Sequence, residues 1–338
     1  MRSQDIVGDK VIGLLGPREL AGPARDATPK WLQEAIDEAA RAALARLRTS
    51  KLRGNRAVRA WLESLFQQSL WSGPVVSARA ATAMWGRESL VRALPRYRLA
   101  DLDVMRDGKP LDLAPLGKPS ARLGKHAPVV LRELEKPNTG LRLQSVQVYH
   151  PSVKTFAGEL AKVLASPVNV NGYAGLSRGT IFPEHWDAHD VALLQTHGTK
   201  EWRVRAPSMP MPITCHRPVL RPSARAKRTT VQLRPGALLY MPRGSWHVGA
   251  GDGSIHLTFG LPEDTVALRI ADVALKTIGQ RARELAYRAP MFMLDPRSPQ
   301  GRVALEKCFE TYLESLRPAL LDAKAMAERP AFFGRRFF

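Results

Sequence analysis

The stretch from Phe182 to Arg205 constrains this chain more than any other. It carries His185 and Asp187 as an H-x-D pair. In extended backbone, residues i and i+2 point to one face, so an imidazole and a carboxylate can converge on one ion. After Asp190 comes the apolar run Val191–Leu194, long enough for a buried strand. Thr196-His-Gly-Thr199 has turn chemistry and Lys200 to Arg205 alternates, which predicts a hairpin whose returning strand opens at Lys200. Downstream, Pro235-Gly236 reads as a turn, Ala237 to Met241 as an apolar strand, and Pro242 to Ser245 as a second turn just before His247. Two histidines and one carboxylate that leave positions open form the donor set of non-haem Fe(II) sites.

Alone, an H-x-D pair is a weak signal in a chain with eight histidines. Its ordinary reading is an exposed turn residue beside an acid. The predicted hairpin, the P-G-x-L-x-Y-x-P-x-x-x-x-H approach and the long interval between them suit a jelly-roll barrel instead. Such barrels enclose a ligand and grip it from non-consecutive strands.

The pattern Asn171-Gly-Tyr173, His185-Trp-Asp187, Gln195, Gly198-Thr-Lys200-Glu-Trp202 resembles the Jumonji C (JmjC) oxygenases, and within them the ribosomal-oxygenase group. The similarity runs over about residues 80 to 262 and is strongest from 165 to 260; the first 75 residues match nothing comparable. The resemblance implies an α+β protein built on a double-stranded β-helix (a jelly-roll or cupin barrel of JmjC type) with helical N-terminal and C-terminal additions. It implies Fe(II) held by His185, Asp187 and His247, with 2-oxoglutarate as co-substrate and O2 as oxidant. Lys200 would pair with the far carboxylate of 2-oxoglutarate, since a buried ammonium is stable only opposite a buried anion. Thr258, on the closing strand Ser254–Gly260, and Asn171 would lie near the co-substrate, and Tyr173 near the substrate. His189, His197, His216 and His256 are read as non-ligands, His256 being the least secure because it sits on that closing strand. Trp186 is read as packing.

Composition bounds the rest. A chain of 338 residues has room for one large domain with helical additions. Cys215 and Cys308 stand far apart without C-x-x-C spacing, which argues against a disulfide framework and fits a reducing cytoplasm. The N-terminus lacks the apolar segment of a signal peptide, and no run reaches the length of a membrane span. The net charge of +20 has two readings, a surface that draws in an acidic partner such as RNA, a ribonucleoprotein or an acidic peptide, and arginine-rich composition without a partner.

Three regions are expected: 1–75 helical, 76–262 the barrel, and 263–338 helical. Residues 1–27 look irregular. Thr28-Pro29 reads as a cap with proline opening a helix, and Asn55 caps a second helix whose stripe is Val58, Trp61, Leu62, Leu65, Phe66 and Leu70. This pair is expected to pack on the barrel rather than to dock a partner. Ser72-Gly-Pro74 marks a boundary, Arg98–Val104 a short helix, and 105–140 loops and short strands. Leu141–Tyr149 reads as a strand whose register slips near Ser145, Ser152–Ala165 as a helix, and Pro167–Tyr173 as a strand. Between the ligand strands, His216 to Arg234 holds six basic residues and no acid, and is expected at one end of the barrel. Asp264 can cap a helix to about Ala286, and Ser298-Pro299 opens another; these helices could cap the monomer or form a homodimer. The aromatic tail Phe332–Phe338 must be buried or sticky.

Three function classes remain. The first is a hydroxylase of a protein or peptide side chain, ribosomal or acidic. The second is a hydroxylase of RNA or of a small molecule on the same scaffold. The third is a non-catalytic cupin-like binding module, disfavoured because it has no need of three metal donors and Lys200 together.

Overall fold

A computed structural model of the chain describes residues 28–213, 220–261, 265–281 and 297–322. The irregular start, Cys215, His216 and Arg217, the Asp264 cap with the extension to Ala286, and the aromatic tail lie outside the described residues. The chain divides after residue 263 into two compact units.

The first unit is built on two long strands. β1 (Trp71–Pro74), β2 (Leu102–Arg106), β3 (Lys109–Pro110), β4 (Thr139–Leu143), β5 (Asn169–Gly175) and β6 (Gly179–Thr180) precede them. β7 (Val191–Arg205) is one of the long strands; β8 (Arg228–Leu233), β9 (Ala237–Met241) and the other long strand, β10 (Trp246–Gly260), follow. β7 and β10 pair antiparallel from Val191–Gly260 to Arg205–Trp246. The first half of β7 and the second half of β10 belong to a sheet of order β1-β9-β7-β10-β5-β4-β2-β3. Their other halves pair with β8 and β6. Val191, Leu193, Leu239 and Met241 from the large sheet meet Trp202, Val204 and Leu233 from the small one in a core of their own. The two sheets therefore face each other as a jelly roll, as expected.

The expected hairpin within 191–205 is absent, and Lys200 lies on the same strand as Val191. Gly198 (φ +63) and Gly253 (φ +56) instead form an irregularity in the β7–β10 ladder, where the register shifts between Asp252 and Ile255. A Cβ on Gly198 would fall 2.1 Å from the Gly253 carbonyl oxygen, so the strands can cross this closely only at glycine. For the same reason Ser254–Gly260 is no separate closing strand: His247 and Thr258 sit on the two halves of β10.

The outer face of the large sheet is covered by helices, which explains why Val191–Leu194 is apolar on both faces. Ala192, Leu194, Leu238, Tyr240, Leu257 and Phe259 share a core with helical residues including Trp61, Leu62, Trp85, Phe156 and Leu160. α1 (Lys30–Thr49) starts without a side-chain cap, so Thr28 does not cap it, and it buries only Ala43 and Leu47. α2 (Arg56–Phe66) is capped by Asn55, whose Oδ1 accepts from the Ala57 and Val58 amides at 3.1 Å. Its buried stripe is Val58, Trp61, Leu62 and Leu65, while Leu70 is exposed. Trp71–Pro74 is β1, paired with β9, so this stretch is part of the sheet.

α3 (Ala78–Trp85) and α4 (Arg87–Ala93) lead into β2, which occupies the place of the helix expected over Arg98–Val104. Only Leu99–Asp101 is helical there, as a single 3-10 turn. α5 (Ala127–Leu134) is a helix in the region read as loops. β4 ends at Leu143, and Ser145 takes a left-handed conformation (φ 55) that turns the chain into α6 (Val146–Tyr149), so Leu141–Tyr149 is not one strand. α7 (Pro151–Leu164) follows as expected and ends on left-handed Ala165.

The second unit contains α8 (Val266–Arg281) and α9 (Pro299–Leu321). Ser298 caps α9 by accepting from the Gly301 amide at 3.0 Å, with Pro299 in the first turn. The Tyr312 hydroxyl donates to Ala274 O at 2.9 Å and ties the two helices together. No described helix is long and apolar enough to cross a membrane.

A candidate metal and co-substrate site

His185, Asp187 and His247 come together at one end of the barrel. One ligand atom from each lies within 4.8 Å of the others, the only such group among the described residues. His185 and His247 form an isolated bridge between backbones, His185 N donating to His247 O at 3.1 Å and His247 N to His185 O at 2.7 Å. Their rings stand 4.4 Å apart, and His247 Nε2 is 3.7 Å from Asp187 Oδ2.

The tautomers are fixed by the backbone. His185 Nδ1 faces Pro183 O at 2.8 Å and His247 Nδ1 faces Ser245 O at 2.9 Å, so each donates its Nδ1 proton and leaves Nε2 with a free lone pair. Burial, helped by His185, pushes His247 down to about 4, so its imidazole is neutral near pH 7. Two imidazoles that each present a free Nε2 and a carboxylate, already converged, fit a divalent first-row metal with open positions.

The segment bearing the first two donors is held at both ends. Glu184 pairs with Arg205, whose Nε donates at 3.0 Å. Gly244 N donates to Asp187 O at 2.8 Å. Beyond it, Asp190 Oδ1 accepts from the Tyr240 hydroxyl at 2.8 Å and from Gln68 Nε2 at 3.1 Å. Sequence reasoning missed this brace, because its parts lie 122 and 50 positions from Asp190.

Lys200 is only 5% exposed. Its Nζ sits 4.6 Å from the centroid of the Trp202 ring, and no hydrogen bond or carboxylate partner is present among the described residues. Burial alone pushes the ammonium down to about 7. The side chain fits because Gly249 lies beside it: a Cβ there would fall 2.5 Å from Lys200 Cε. Thr258 Oγ1 is also buried without a partner. An unpaired cation and an unpaired hydroxyl in the barrel that holds the donor set are the chemistry a small dicarboxylate would complete.

The other expected site residues line β5. Asn171 pairs across the strands with Thr258 and Tyr173 with His256. Asn171 Oδ1 accepts from the Ser145 amide at 3.2 Å and from Asn169 Nδ2 at 3.3 Å. The Tyr173 hydroxyl lies within reach of Arg142 and Asn171; burial raises its pKa, and the Arg142 charge opposes the rise. Arg142 is fixed by two hydrogen bonds to Asp103 Oδ2, at 2.9 and 2.7 Å. Neither Arg142 nor Asp103 was singled out in the sequence, where nothing local connects them to Tyr173. Of the described basic residues between the ligand strands, Arg221, Arg225, Lys227 and Arg228 are exposed. Thr229, next to Arg228, pairs with Val204, which in turn pairs with His247, so the run reaches the metal end of the barrel.

A facing-sheet barrel with a His–Asp–His donor set at its mouth defines a class of metal-centred jelly rolls. The JmjC domain family matches residues 144–268, so this segment of the chain is similar to a JmjC domain. Human ribosomal oxygenase 1 is 28% identical over 272 residues, covering 72% of this chain and 40% of that protein. Mouse ribosomal oxygenase 2 is 25% identical over 166 residues, covering 45% of this chain and 35% of that protein. The chain thus spans well under half the length of these relatives. The crystal structure of the Escherichia coli ribosomal oxygenase YcfD aligns with a TM-score of 0.50 at 17% identity, covering 79% of this chain and 67% of that one, which shows the shared fold.

Proposed function

We propose that the chain is an Fe(II)- and 2-oxoglutarate-dependent dioxygenase that hydroxylates a side chain of a protein or peptide. His185, Asp187 and His247 would hold the metal; Lys200, with Thr258 and Asn171, would bind 2-oxoglutarate; Tyr173 would face the substrate. When bound, Fe(II), 2-oxoglutarate and O2 supply the oxidising power that turns C–H into C–OH, with succinate and CO2 as the other products.

The chain's own share is position and shelter. The Nδ1–H bonds to Pro183 and Ser245 aim both imidazoles. The ring of Trp202 and the walls around Lys200 exclude water, which strengthens an ammonium–carboxylate contact there. Asp103, through Arg142, steadies the Tyr173 hydroxyl. Lys200 is the observation that carries this reading: a buried cation without an anion, beside a converged metal donor set. A binding module needs no such group.

For the substrate, the names of the relatives support a ribosomal protein. RNA is the second reading, supported by the +20 charge and by the exposed run Arg221 to Arg228. A cytoplasmic location and a homodimer through the C-terminal helices complete the proposal, together with the division into regions 1–75, 76–262 and 263–338.

The test is succinate formation by the purified full chain. Iron-dependent turnover of 2-oxoglutarate is expected in the wild type, absent in Asp187→Ala, and shifted to far higher 2-oxoglutarate in Lys200→Ala. A wild type that makes no succinate with iron and 2-oxoglutarate would refute the reading.

A further inference from the structure

The barrel holds more unpartnered polarity than Lys200 and Thr258 alone. His256 lies on β10 between Tyr173 of β5 and Gln195 of β7, and is 2% exposed. Its ring stacks on Tyr173, with centroids 5.0 Å apart and planes 8° from parallel. It meets Trp202 edge-on at 5.6 Å, and that same indole carries Lys200 Nζ on its face. Nδ1 of His256 is buried and has no hydrogen-bond partner among the described residues. Two residues along the strand, and so on the same face, Thr258 Oγ1 is unpartnered as well.

Packing does not explain a histidine here. A phenylalanine would stack on Tyr173 and abut Trp202 equally well, without leaving a nitrogen unpaired in the interior. Burial, reinforced by the neighbouring Lys200 charge, keeps the imidazole well below its usual pKa, so it is neutral and holds one N–H to donate. No described group accepts it: the Lys200 ammonium nearby is itself a donor, and Gln195 Oε1, across the ladder from His256, is likewise without a hydrogen-bond partner. Lys200, His256 and Thr258 each carry a proton that no described group accepts, and a carboxylate has lone pairs for all of them.

Building on the co-substrate reading above, we propose that His256 is a further binding residue, donating its Nδ1 proton to the far carboxylate of 2-oxoglutarate alongside Lys200. The site then selects a dicarboxylate through a charge on β7 and a neutral donor on β10. Because His256 is stacked on Tyr173, filling this site also fixes the ring that lines the substrate side.

The experiment uses the full chain with Zn(II) in place of iron, so that binding is read without turnover. Calorimetry follows 2-oxoglutarate and, in parallel, 2-oxobutanoate, which keeps the 2-oxo acid head but lacks the far carboxylate. His256→Phe preserves the stack and removes the donor. It should weaken 2-oxoglutarate about tenfold and leave 2-oxobutanoate and Zn(II) binding unchanged. His256→Asn, with a donor but no ring, should bind 2-oxoglutarate more tightly than His256→Phe.

In the wild type with nitrogen-labelled histidine, the His256 Nδ1–H resonance should shift with 2-oxoglutarate and not with 2-oxobutanoate; this measurement decides the matter if His256→Phe fails to fold. Unchanged 2-oxoglutarate binding in His256→Phe, equal loss of both acids, or an Nδ1–H signal indifferent to the far carboxylate would overturn the proposal. Lys200→Ala separates the two levels. If it too leaves 2-oxoglutarate binding intact, the co-substrate reading fails; if it weakens binding while His256→Phe does not, only the role of His256 fails.

Discussion

Lys200→Met should make the protein more stable while removing its grip on 2-oxoglutarate. In the unfolded chain this amine titrates at its ordinary 10.5; in the fold, burial without an opposing charge brings it down to about 7. Between those values the unfolded state binds more protons than the folded one, so stability rises with pH across that window. The penalty is fully present below about 7 and gone above 10.5. At about 1.4 kcal/mol per pH unit the shift corresponds to roughly 4–5 kcal/mol, an upper bound because water entering the cavity relieves part of it. Methionine has nearly the same reach and no charge, and should release about 2–4 kcal/mol of this near pH 7.

The assay is urea unfolding of both proteins from pH 7 to 10, compared at equal slope so that only the midpoint reports stability. The advantage of Lys200→Met should shrink as pH rises. 2-Oxoglutarate at about 1,000 times its Kd should then cancel or reverse that advantage, since it adds about 4.1 kcal/mol to the protein that binds it and nothing to the one that cannot. A variant no more stable than the wild type at pH 7, or an advantage that does not change with pH, would show that Lys200 is solvated and that the barrel interior has been misread.

Gly249→Ala should act on Lys200 from the neighbouring strand. With a Cβ 2.5 Å from Lys200 Cε, the side chain must move, and 2-oxoglutarate binding measured by calorimetry should weaken at least tenfold with metal binding unchanged. Asp190→Ala removes the acceptor shared by the Tyr240 hydroxyl and Gln68, and should cost about 1–2 kcal/mol in urea unfolding, because the hydroxyl then has only the long 3.5 Å contact to Leu65 O to donate to. Replacing Arg221, Arg225 and Arg228 with glutamine should flatten the salt dependence of substrate binding while leaving 2-oxoglutarate turnover without substrate intact, because exposed charge is screened within about 8 Å at physiological ionic strength. Pull-down from lysate with Asp187→Ala, at low and high salt and with or without nuclease, reads that dependence and separates RNA from protein.

What the sequence made legible was the local chemistry. His185 and Asp187 are two residues apart, and proline and glycine frame β9 before His247, so the donor set could be picked out before any coordinates. The misreadings came where one residue type serves two geometries. Gly198-Thr199 has the composition of a hairpin turn, and the same left-handed glycine also builds a bulge in a continuous strand. Only the partner, Gly253 on β10, decides between them. At Ser145 a left-handed serine breaks an alternating pattern that would otherwise have carried a strand through to Tyr149. The contacts that tune the site, Asp103 to Arg142 to Tyr173 and His256 to Trp202, join residues tens of positions apart through strand pairing, which no local pattern encodes.

That continuity of β7 and β10 bears on how the site works. Were residues 191–205 a hairpin, the metal donors and the co-substrate anchor would sit on separate strands and could shift apart. Instead His247 pairs with Val204, Lys200 pairs with Gly251, and Thr258 pairs with Leu193, all within one ladder. The spacing between the metal end and Lys200 is set by five successive pairs of that ladder, from Val204 to Lys200, and His256 and Thr258 lie beyond the bulge at Gly198 and Gly253. On the proposed reading, a two-carboxylate ligand reaching from the metal to Lys200 would be measured against one continuous strand segment, whereas the angle of the His256 wall depends on the bulge. Substituting either bulge glycine should thus disturb the dicarboxylate grip before it disturbs the metal, because His185, Asp187 and His247 are held by backbone contacts on the far side of it.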